Sequence, residues 1–397
     1  MSAHDETTAT TTIPTDTDRL AAAAWSRVAE PTDAAACALI GVLGPAPAWQ
    51  WLSDGADPAE LLHGDLAQPA RRVITQARER WLPRVGDATP EADLDHIIRL
   101  GGAYIVPGDP EWPEILTDCA DAPWGLWVRG QRQRLRDLGE DTLALVGARA
   151  PTRYGINATH AITAEAARAG HGIISGGAYG IDTAALRTAL AYDVAVASVF
   201  AGGLDRWYPA HNASLFDGLI ASGVAISAYP PRSRPARWRF LDRNWLIAAL
   251  SAGTVVVEAS ARSGALNTAA HVRELGRHVG AVPGPIDSVM SHGCHTLLRE
   301  GAQLITSGRD ASEMIRPLGA TRPARLPKRR GLLDGLDAHA ARTLDAMPVA
   351  SAASVSAIVR AAGLSASDVM VALAHLELAG RIAREGSMYR RVPTPKD

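Results

Sequence analysis

Cysteine is nearly missing. Cys37, Cys119 and Cys294 are the only thiols in 397 residues. No two form a CxxC pair, so neither a disulfide framework nor a cysteine zinc site is supported, and a reducing cytoplasm fits. Lysine is scarcer still: of 40 basic residues only Lys328 and Lys396 are lysines, so arginine carries the cationic chemistry. Aromatic residues make up 5% of the chain, and 10 of them are Trp against 7 Tyr and 3 Phe. No apolar run approaches the ~18 residues that span a bilayer, so no membrane partner is expected. The first residues (MSAHDETTATTTIPTDTD) are acidic and Thr-rich and lack the apolar stretch of a secretion signal. No repeat of solenoid period is visible. A net charge of −2 excludes a histone-like polycation.

Hydrophobic residues make up 47%, ample for a buried core, and the length suggests two or three domains. The near-neutral total hides an asymmetry. Residues 1–140 hold 22 acidic and 12 basic residues, whereas 141–397 hold 20 and 28. Positive charge is displaced toward the C-terminal two-thirds, which suits an anionic partner there. Residues 1–18 read as a disordered tail with almost nothing to bury. Residues 19–99 show helical periodicity (Leu20, Ala23, Ala24, Val28; Val73, Ile74, Ala77, Trp81) and read as a small helical domain. Residues 100–140 read as a strand, a turn, a short helix and a second strand, together a bridging segment. From 141 to 315, short apolar runs alternate with helical stretches: Leu143–Val146, Gly172–Ser175, Val194–Phe200, Val224–Tyr229, Thr254–Glu258, His278–Val282 and Ala302–Ile305. That pattern predicts an α/β domain, a Rossmann-like open parallel sheet covered on both faces. Residues 316–332 carry six basic residues, three prolines and no acid, a basic linker. Residues 333–397 predict three helices and a hairpin, the outline of a winged helix.

Ligands of open parallel sheets sit beyond the carboxyl ends of the strands, so the loops there are the candidates. In the first, Val146–Gly155, Gly147 permits close backbone approach and Arg149 supplies a fixed positive fork ahead of a helix start. In the second, Ser175, Gly176 and Gly177 lead into a helix, a backbone concavity suited to a phosphate. In the third, Ala201–Asn212, Asp205 reads as a loop cap, and Tyr208 offers a ring face and a hydroxyl. In the fourth, Arg262, Ser263, Gly264, Asn267 and Thr268 form another anion-friendly turn. The four are expected to converge on one edge of the sheet. Any one of them alone reads equally well as a tight strand-to-helix connection. Asp182 reads as a loop cap and Glu258, ending an apolar strand, as a buried structural carboxylate. The segment Pro230–Trp245 has five arginines and interleaved aromatics, so Arg232, Arg234, Arg237, Trp238 and Arg239 form a basic, aromatic loop suited to phosphates and bases. His292 and His295 flank Gly293 without a third ligand in sequence, so no metal site is expected.

In order and spacing, these motifs resemble the DNA-processing protein A (DprA/Smf) family. The residues carrying the resemblance are Val146-Gly-x-Arg149-x-x-Thr152-x-Tyr154-Gly155, Ser175-Gly-x-Ala178-x-Gly180-Ile-Asp182 and Gly203-Leu-Asp205-x-x-Tyr208-Pro209-x-x-Asn212. Tyr229-Pro-Pro231, Arg243-Asn244, Val256-Val-Glu258-Ala259, Ser263-Gly264-x-Leu-x-Thr268-Ala, Gly276-Arg277, Val282-Pro-Gly284 and Gly301-Ala302 continue it. The resemblance implies a non-enzymatic core without a cofactor that binds single-stranded DNA as a homodimer and loads the recombinase RecA during natural transformation. It also implies single-stranded-DNA-binding protein as a further candidate partner. A sterile-alpha-motif-like N-terminal domain and a C-terminal winged helix are common accessories of that family. Arg149 is then the expected phosphate contact, with Tyr208, Asn212, Arg243, Asn244 and the Ser263–Thr268 turn around the same pocket. Three positions depart from the family pattern: Ala228 replaces a Glu, Leu186 a His and Trp245 an Arg. The loss of charge at Trp245 bears on the strength of DNA binding.

The alternative is a nucleotide hydrolase of the lysine-decarboxylase-like, phosphoribohydrolase type. Its Pro-Gly-Gly-x-Gly-Thr loop is replaced here by Ser-Gly-Gly-Ala-Tyr-Gly, with no adjacent acid–base pair. A dinucleotide-binding oxidoreductase fits less well, because GARAPTRYG is not GxGxxG. The winged helix reads either as a duplex-DNA module or as a protein contact, and the basic linker leans toward nucleic acid. The acidic helical N-terminal domain is not expected to touch DNA.

Overall fold

The computed structural model describes residues 14–55, 68–117, 119, 121–316, 338–348, 351–378 and 381–392. They fall into two compact units, one up to residue 327 and one from 328. Residues 1–13 of the expected tail and all of the basic linker except Arg316 lie outside the described residues.

The first unit opens on the helix Asp16–Val28, which begins inside the stretch read as a tail. The cause is a reciprocal cap: Thr15 Oγ1 accepts from the Asp18 amide at 3.1 Å, and the Asp18 carboxylate accepts from Thr15. Among the described residues the helices Ala34–Leu43, Pro45–Asp54, Gln68–Val85 and Pro90–Arg99 follow. Their common core is Trp25, whose ring meets Trp49, Trp81 and Trp124 edge-on with centroids 5.2 to 6.4 Å apart. The tryptophan bias of the composition is thus partly a core feature. Each such indole contributes upwards of about 2 kcal/mol by burial.

The sheet has nine strands: β1 (Gly102–Ile105), β2 (Leu126–Gly130), β3 (Thr142–Val146), β4 (Gly172–Ser175), β5 (Val196–Phe200), β6 (Val224–Ser227), β7 (Gly253–Val256), β8 (His278–Ala281) and β9 (Gln303–Leu304). Their order is β1-β2-β6-β5-β4-β3-β7-β8-β9. The last seven run parallel, one for each apolar run read from the sequence. Strands β1 and β2 add antiparallel to that edge, β2 against β6. The segment read as a bridge is therefore part of the sheet itself. Both β1 and β2 carry large apolar side chains on both faces, and Trp127 reaches the helical layer through a 3.3 Å hydrogen bond from Nε1 to Ser26 Oγ. The chain leaves β3 toward β4, β5 and β6, then returns to β7 on the other side of β3. The loops after β3 and β7 diverge there, which opens a crevice.

The helical layer is fastened to the sheet by ion pairs. Arg19 donates to both Asp109 oxygens at 2.7 and 2.8 Å. Burial alone would raise the Asp109 pKa, but the Arg19 fork and the Val106 amide outweigh it and hold the carboxyl below its ordinary value. A carboxylate with a lowered folded-state pKa contributes stability above its unfolded pKa and loses it as pH falls through the folded value. Asp109→Asn is therefore expected to flatten the acid limb of a plot of thermal midpoint against pH while leaving the alkaline side parallel to wild type. An unchanged acid limb would count against this pair.

The second unit holds helices Ala338–Asp345, Val355–Ala362 and Ala366–Leu378 and a hairpin, Ile382–Glu385 with Met388–Arg391. The short strand Ala353–Ser354, not read from the sequence, pairs with Met388–Arg391 and makes it the central strand of three. Its core is Leu344, Met347, Ile358, Val369, Leu373, Leu376, Ile382 and Tyr389.

Candidate functional site

The loops after β3, β4, β5, β6, β7 and β8 all reach one cavity of about 1390 Å³ at the carboxyl ends of the strands. Seven arginines line it, Arg149, Arg206, Arg232, Arg234, Arg237, Arg243 and Arg262, against two aspartates, Asp182 and Asp205. A concave surface lined by one sign of charge concentrates counter-ions, here anions.

The arginines divide by what they touch. Arg149, Arg206, Arg234, Arg237 and Arg262 are exposed, and their guanidinium groups make no hydrogen bond or ion pair among the described residues. Arg149 lies over the Phe240 ring at 5.5 Å, and Tyr208, 51% exposed, has its ring centroid 5.8 Å from Phe240. Phe240 thus carries the Arg149 and Arg243 guanidinium groups, the latter at 5.6 Å, and Tyr208 beside it leaves its ring open to the cavity. Arg243 differs. It is buried, and its Nη1 donates to the carbonyls of Gly176 and Val199. Burial pushes its pKa down to about 10, opposed by Asp182 and reinforced by Arg149. It remains a cation at neutral pH, but one that braces the floor.

Two of the expected phosphate cradles already hold an anion from the chain itself. At the helix Arg153–Arg168, the buried Glu258 carboxylate accepts from the Thr152 amide at 2.8 Å and from its hydroxyl at 2.6 Å. A Cβ at Gly155 would overlap that carboxylate. Its partner is thus a helix N-terminus. At the helix Ile181–Ala189, the buried Asp182 carboxylate accepts from the amides of Gly176 at 3.2 Å and Ala178 at 3.3 Å. Burial raises its pKa, against the pull of Arg243 and those two amides. The Gly176–Gly177 turn therefore cannot offer those amides to a ligand. Gly177 is needed at φ +65°, where a Cβ would also press on Phe216 and Ser198. Ser175 faces the sheet, its hydroxyl donating to Leu145 O at 2.6 Å. Asn212 is buried and ties Gly177 O to Thr183 at 3.0 and 2.8 Å. Ser175, Gly176, Gly177 and Asn212 lie behind the cavity and shape it without lining it.

Two other helix starts do open onto the cavity. The helix Arg237–Ala249 has Ala236 at its N-cap, no side-chain cap and no acid in its first turn. Arginine at that end opposes the helix macrodipole, a conflict that a bound anion would relieve. The helix Gly264–Glu274 starts at the exposed Gly264, with Ser263 Oγ accepting from the Ala265 amide at 3.3 Å. Asn244 Nδ2 bridges Gly264 O and Asn267 Oδ1, which fixes this turn beside Arg262. Gly147, Asn267 and the buried Thr268 also line the cavity. Gly147 is required by packing, since a Cβ would meet Ile181 at 2.7 Å.

The basic, aromatic loop splits. Arg234 and Arg237 face the cavity unpaired, whereas Arg232 pairs with Asp93 at 2.8 Å and Arg239 with Glu30 at 3.1 Å. Arg239 also stacks over Tyr229 at 4.6 Å. Trp238 is 58% exposed and outside the cavity lining. Trp245 packs against the apolar core, so the charge missing at that position is not missing from the cavity. Leu186 and Ala228 are buried apolar residues. Sequence reasoning passed over Arg206 and Phe240 as site residues. Arg206 follows Asp205 in a loop already singled out, and its place after a parallel strand was the available signal.

The DNA recombination-mediator protein A family model matches residues 103–316, and a DprA winged helix domain model matches residues 327–387. A putative DNA processing protein DprA of Mycobacterium tuberculosis is 40% identical over 375 residues, covering 90% of this chain and 91% of that protein. DNA processing protein DprA of Streptococcus pneumoniae is 38% identical over 261 residues, covering 63% of this chain and 86% of its own. The X-ray structure of DNA processing protein A from Streptococcus pneumoniae superposes with a TM-score of 0.59 at 28% identity, covering 76% of this chain and 98% of that one.

Proposed function

Because the chain belongs to the DNA recombination-mediator protein A family, we propose that it binds single-stranded DNA in the arginine-lined cavity, without making or breaking a bond, and delivers that strand to RecA. The observation that carries this reading is the set of five guanidinium groups left unpaired among the described residues around one cavity, together with two helix starts that open onto it and the exposed Tyr208 ring. Guanidinium groups and helix N-termini hold phosphates, and ring faces stack on bases of any identity. Such a site binds a polynucleotide with little sequence preference. Its anions are continuous along a strand, which suits a cavity open over many residues better than one closed around a mononucleotide.

The hydrolase reading gains no support from the carboxylates near the cavity. Glu258, Asp182 and Asp205 each accept a hydrogen bond from a backbone amide, at 2.8, 3.2 and 2.6 Å. A group spent in this way is a brace and a poor general base.

The test is salt dependence. Affinity for an oligothymidine is expected to fall with salt at a log–log slope of about 0.7 per phosphate neutralised, so five arginines give about 3 to 4. Absence of binding in dilute salt would reject the reading, and release of free base from a nucleoside monophosphate would establish the alternative.

RecA loading in natural transformation or related recombination, action as a homodimer in the cytoplasm and contact with single-stranded-DNA-binding protein are part of the same proposal. RecA filament formation on coated single strands, with and without this protein, tests the first of these. In the second unit, the helix Ala366–Leu378 has no Lys or Arg, and it exposes Met370 and Val371. The commonest major-groove contact is made by Arg or Lys, which this helix lacks, so it favours a protein contact over duplex DNA.

A further inference from the structure

One wall of the cavity is tied to the helical layer at a buried carboxylate, beside the half-buried Arg239–Glu30 pair. Asp93 sits in the first turn of the helix Pro90–Arg99, with its side chain 0% exposed. It accepts from Arg27 Nε at 3.1 Å and Nη2 at 2.6 Å, and from Arg232 Nη2 at 2.8 Å. Arg27 Nη2 also donates to Pro231 O at 2.8 Å. Two cations thus converge on one fully desolvated acid, and one of them, Arg27, also holds a backbone carbonyl of the cavity loop.

Arg232 occupies an unusual backbone state. Its φ is +67°, the left-handed region, where it is the only residue other than glycine among those described. A side chain with a Cβ holds that conformation only when its surroundings impose it. They do so from both ends: the Arg232 amide donates to Asp205 Oδ1 at 2.6 Å, and its guanidinium to Asp93. The turn is completed by Ser233 N donating to Pro230 O at 3.2 Å and by Gly203 N donating to Ser233 O at 2.9 Å. Arg234 and Arg237, two of the five unpaired arginines, follow directly and line the cavity.

We propose that Asp93 is a positioning residue for the DNA site. By pairing with Arg27 and Arg232 at once, it locks residues 230–237 in the turn that presents Arg234 and Arg237 to the cavity. The helical layer, although acidic and unsuited to touching DNA, then sets the geometry of the DNA-binding wall. This inference rests on the reading of the cavity as a single-stranded-DNA site.

The sign of one substitution separates positioning from bulk electrostatics. Asp93→Asn removes a negative charge near a polyanion site and frees Arg232. If Asp93 were a bystander, the variant would bind oligothymidine as tightly as wild type or more tightly. If it positions the wall, binding by the full-length variant in dilute salt weakens about tenfold, in the range typical of residues sharing one network. Affinity equal to or above wild type overturns the proposal.

A second measurement stands apart from the folding of that variant. Arg232 is 52% exposed at its side chain, so Arg232→Ala severs the tie from the accessible end. Amide hydrogen exchange at residues 203, 232 and 233, whose amides close this turn, is expected to quicken about tenfold, with the sheet strands unchanged. Unchanged exchange there overturns the proposal even if Asp93→Asn fails to fold. If wild type binds no oligothymidine, it is the DNA reading that falls, and the exchange result still decides whether the tie orders the loop.

Discussion

Arg149→Ala is expected to weaken single-stranded-DNA binding by about ten- to a hundredfold while leaving the thermal midpoint close to wild type. The magnitude is that of one hydrogen-bonded charge, about 1.5–3 kcal/mol. The absence of a stability effect follows from the surroundings: Arg149 is exposed, pairs with no carboxylate among the described residues and touches the chain through the Phe240 ring. Its like charge also helps to depress the Arg243 pKa, so its removal slightly relieves the buried cation. The salt slope should fall by about 0.7 for each phosphate that the variant no longer neutralises. A filter-binding or anisotropy series at two salt concentrations, paired with a melting curve, measures both. Unchanged affinity would place the phosphate site elsewhere in the cavity, with Arg206 and Arg262 the next to replace.

Arg243→Ala should behave in the opposite way, as a stability defect first. Arg243 and Asp182 are both buried and interact through their charges without a direct ion pair, so removing the cation takes away the largest favourable influence on the carboxylate, at about 1–3 kcal/mol. The remaining Gly176 and Ala178 amides offset only part of that loss. Gly176 and Val199 carbonyls also lose their shared donor. Denaturant unfolding measures the effect, and DNA affinity should fall with the fraction folded. Adding Asp182→Asn to an apolar Arg243→Met change should recover much of the stability, because a neutral, well-packed replacement removes the desolvation cost of both charges. If Arg243→Ala melted like wild type and lost only affinity, Arg243 would be a direct phosphate ligand, as the motif resemblance implied.

The contrast between these two arginines shows where residue pattern stops being informative. Leu143–Val146 and the six apolar runs after it announced parallel strands, because strands buried on both faces need continuous apolar residues. The glycine loops behind them announced tight strand-to-helix turns, and the ligand edge of such a sheet follows from its topology. Residues 100–140 showed their two strands but not that these join the sheet, because a short apolar run carries no sign of the strand it will pair with. Thr15–Asp18, a readable cap, lay in a segment dismissed on composition.

Within the site, composition and spacing set the stock of charge: arginines in loops after parallel strands, and glycines where backbone must pass close. Which arginines stay free for a ligand was decided by the fold alone. Glu258 fills the helix start at Thr152, 106 residues away, Asp93 takes Arg232 across 139 and Glu30 takes Arg239 across 209. Periodicity tells which face a side chain occupies, but a charge is neutralised by whatever the packing brings within about 4 Å of it, and that distance exists only once the chain has folded.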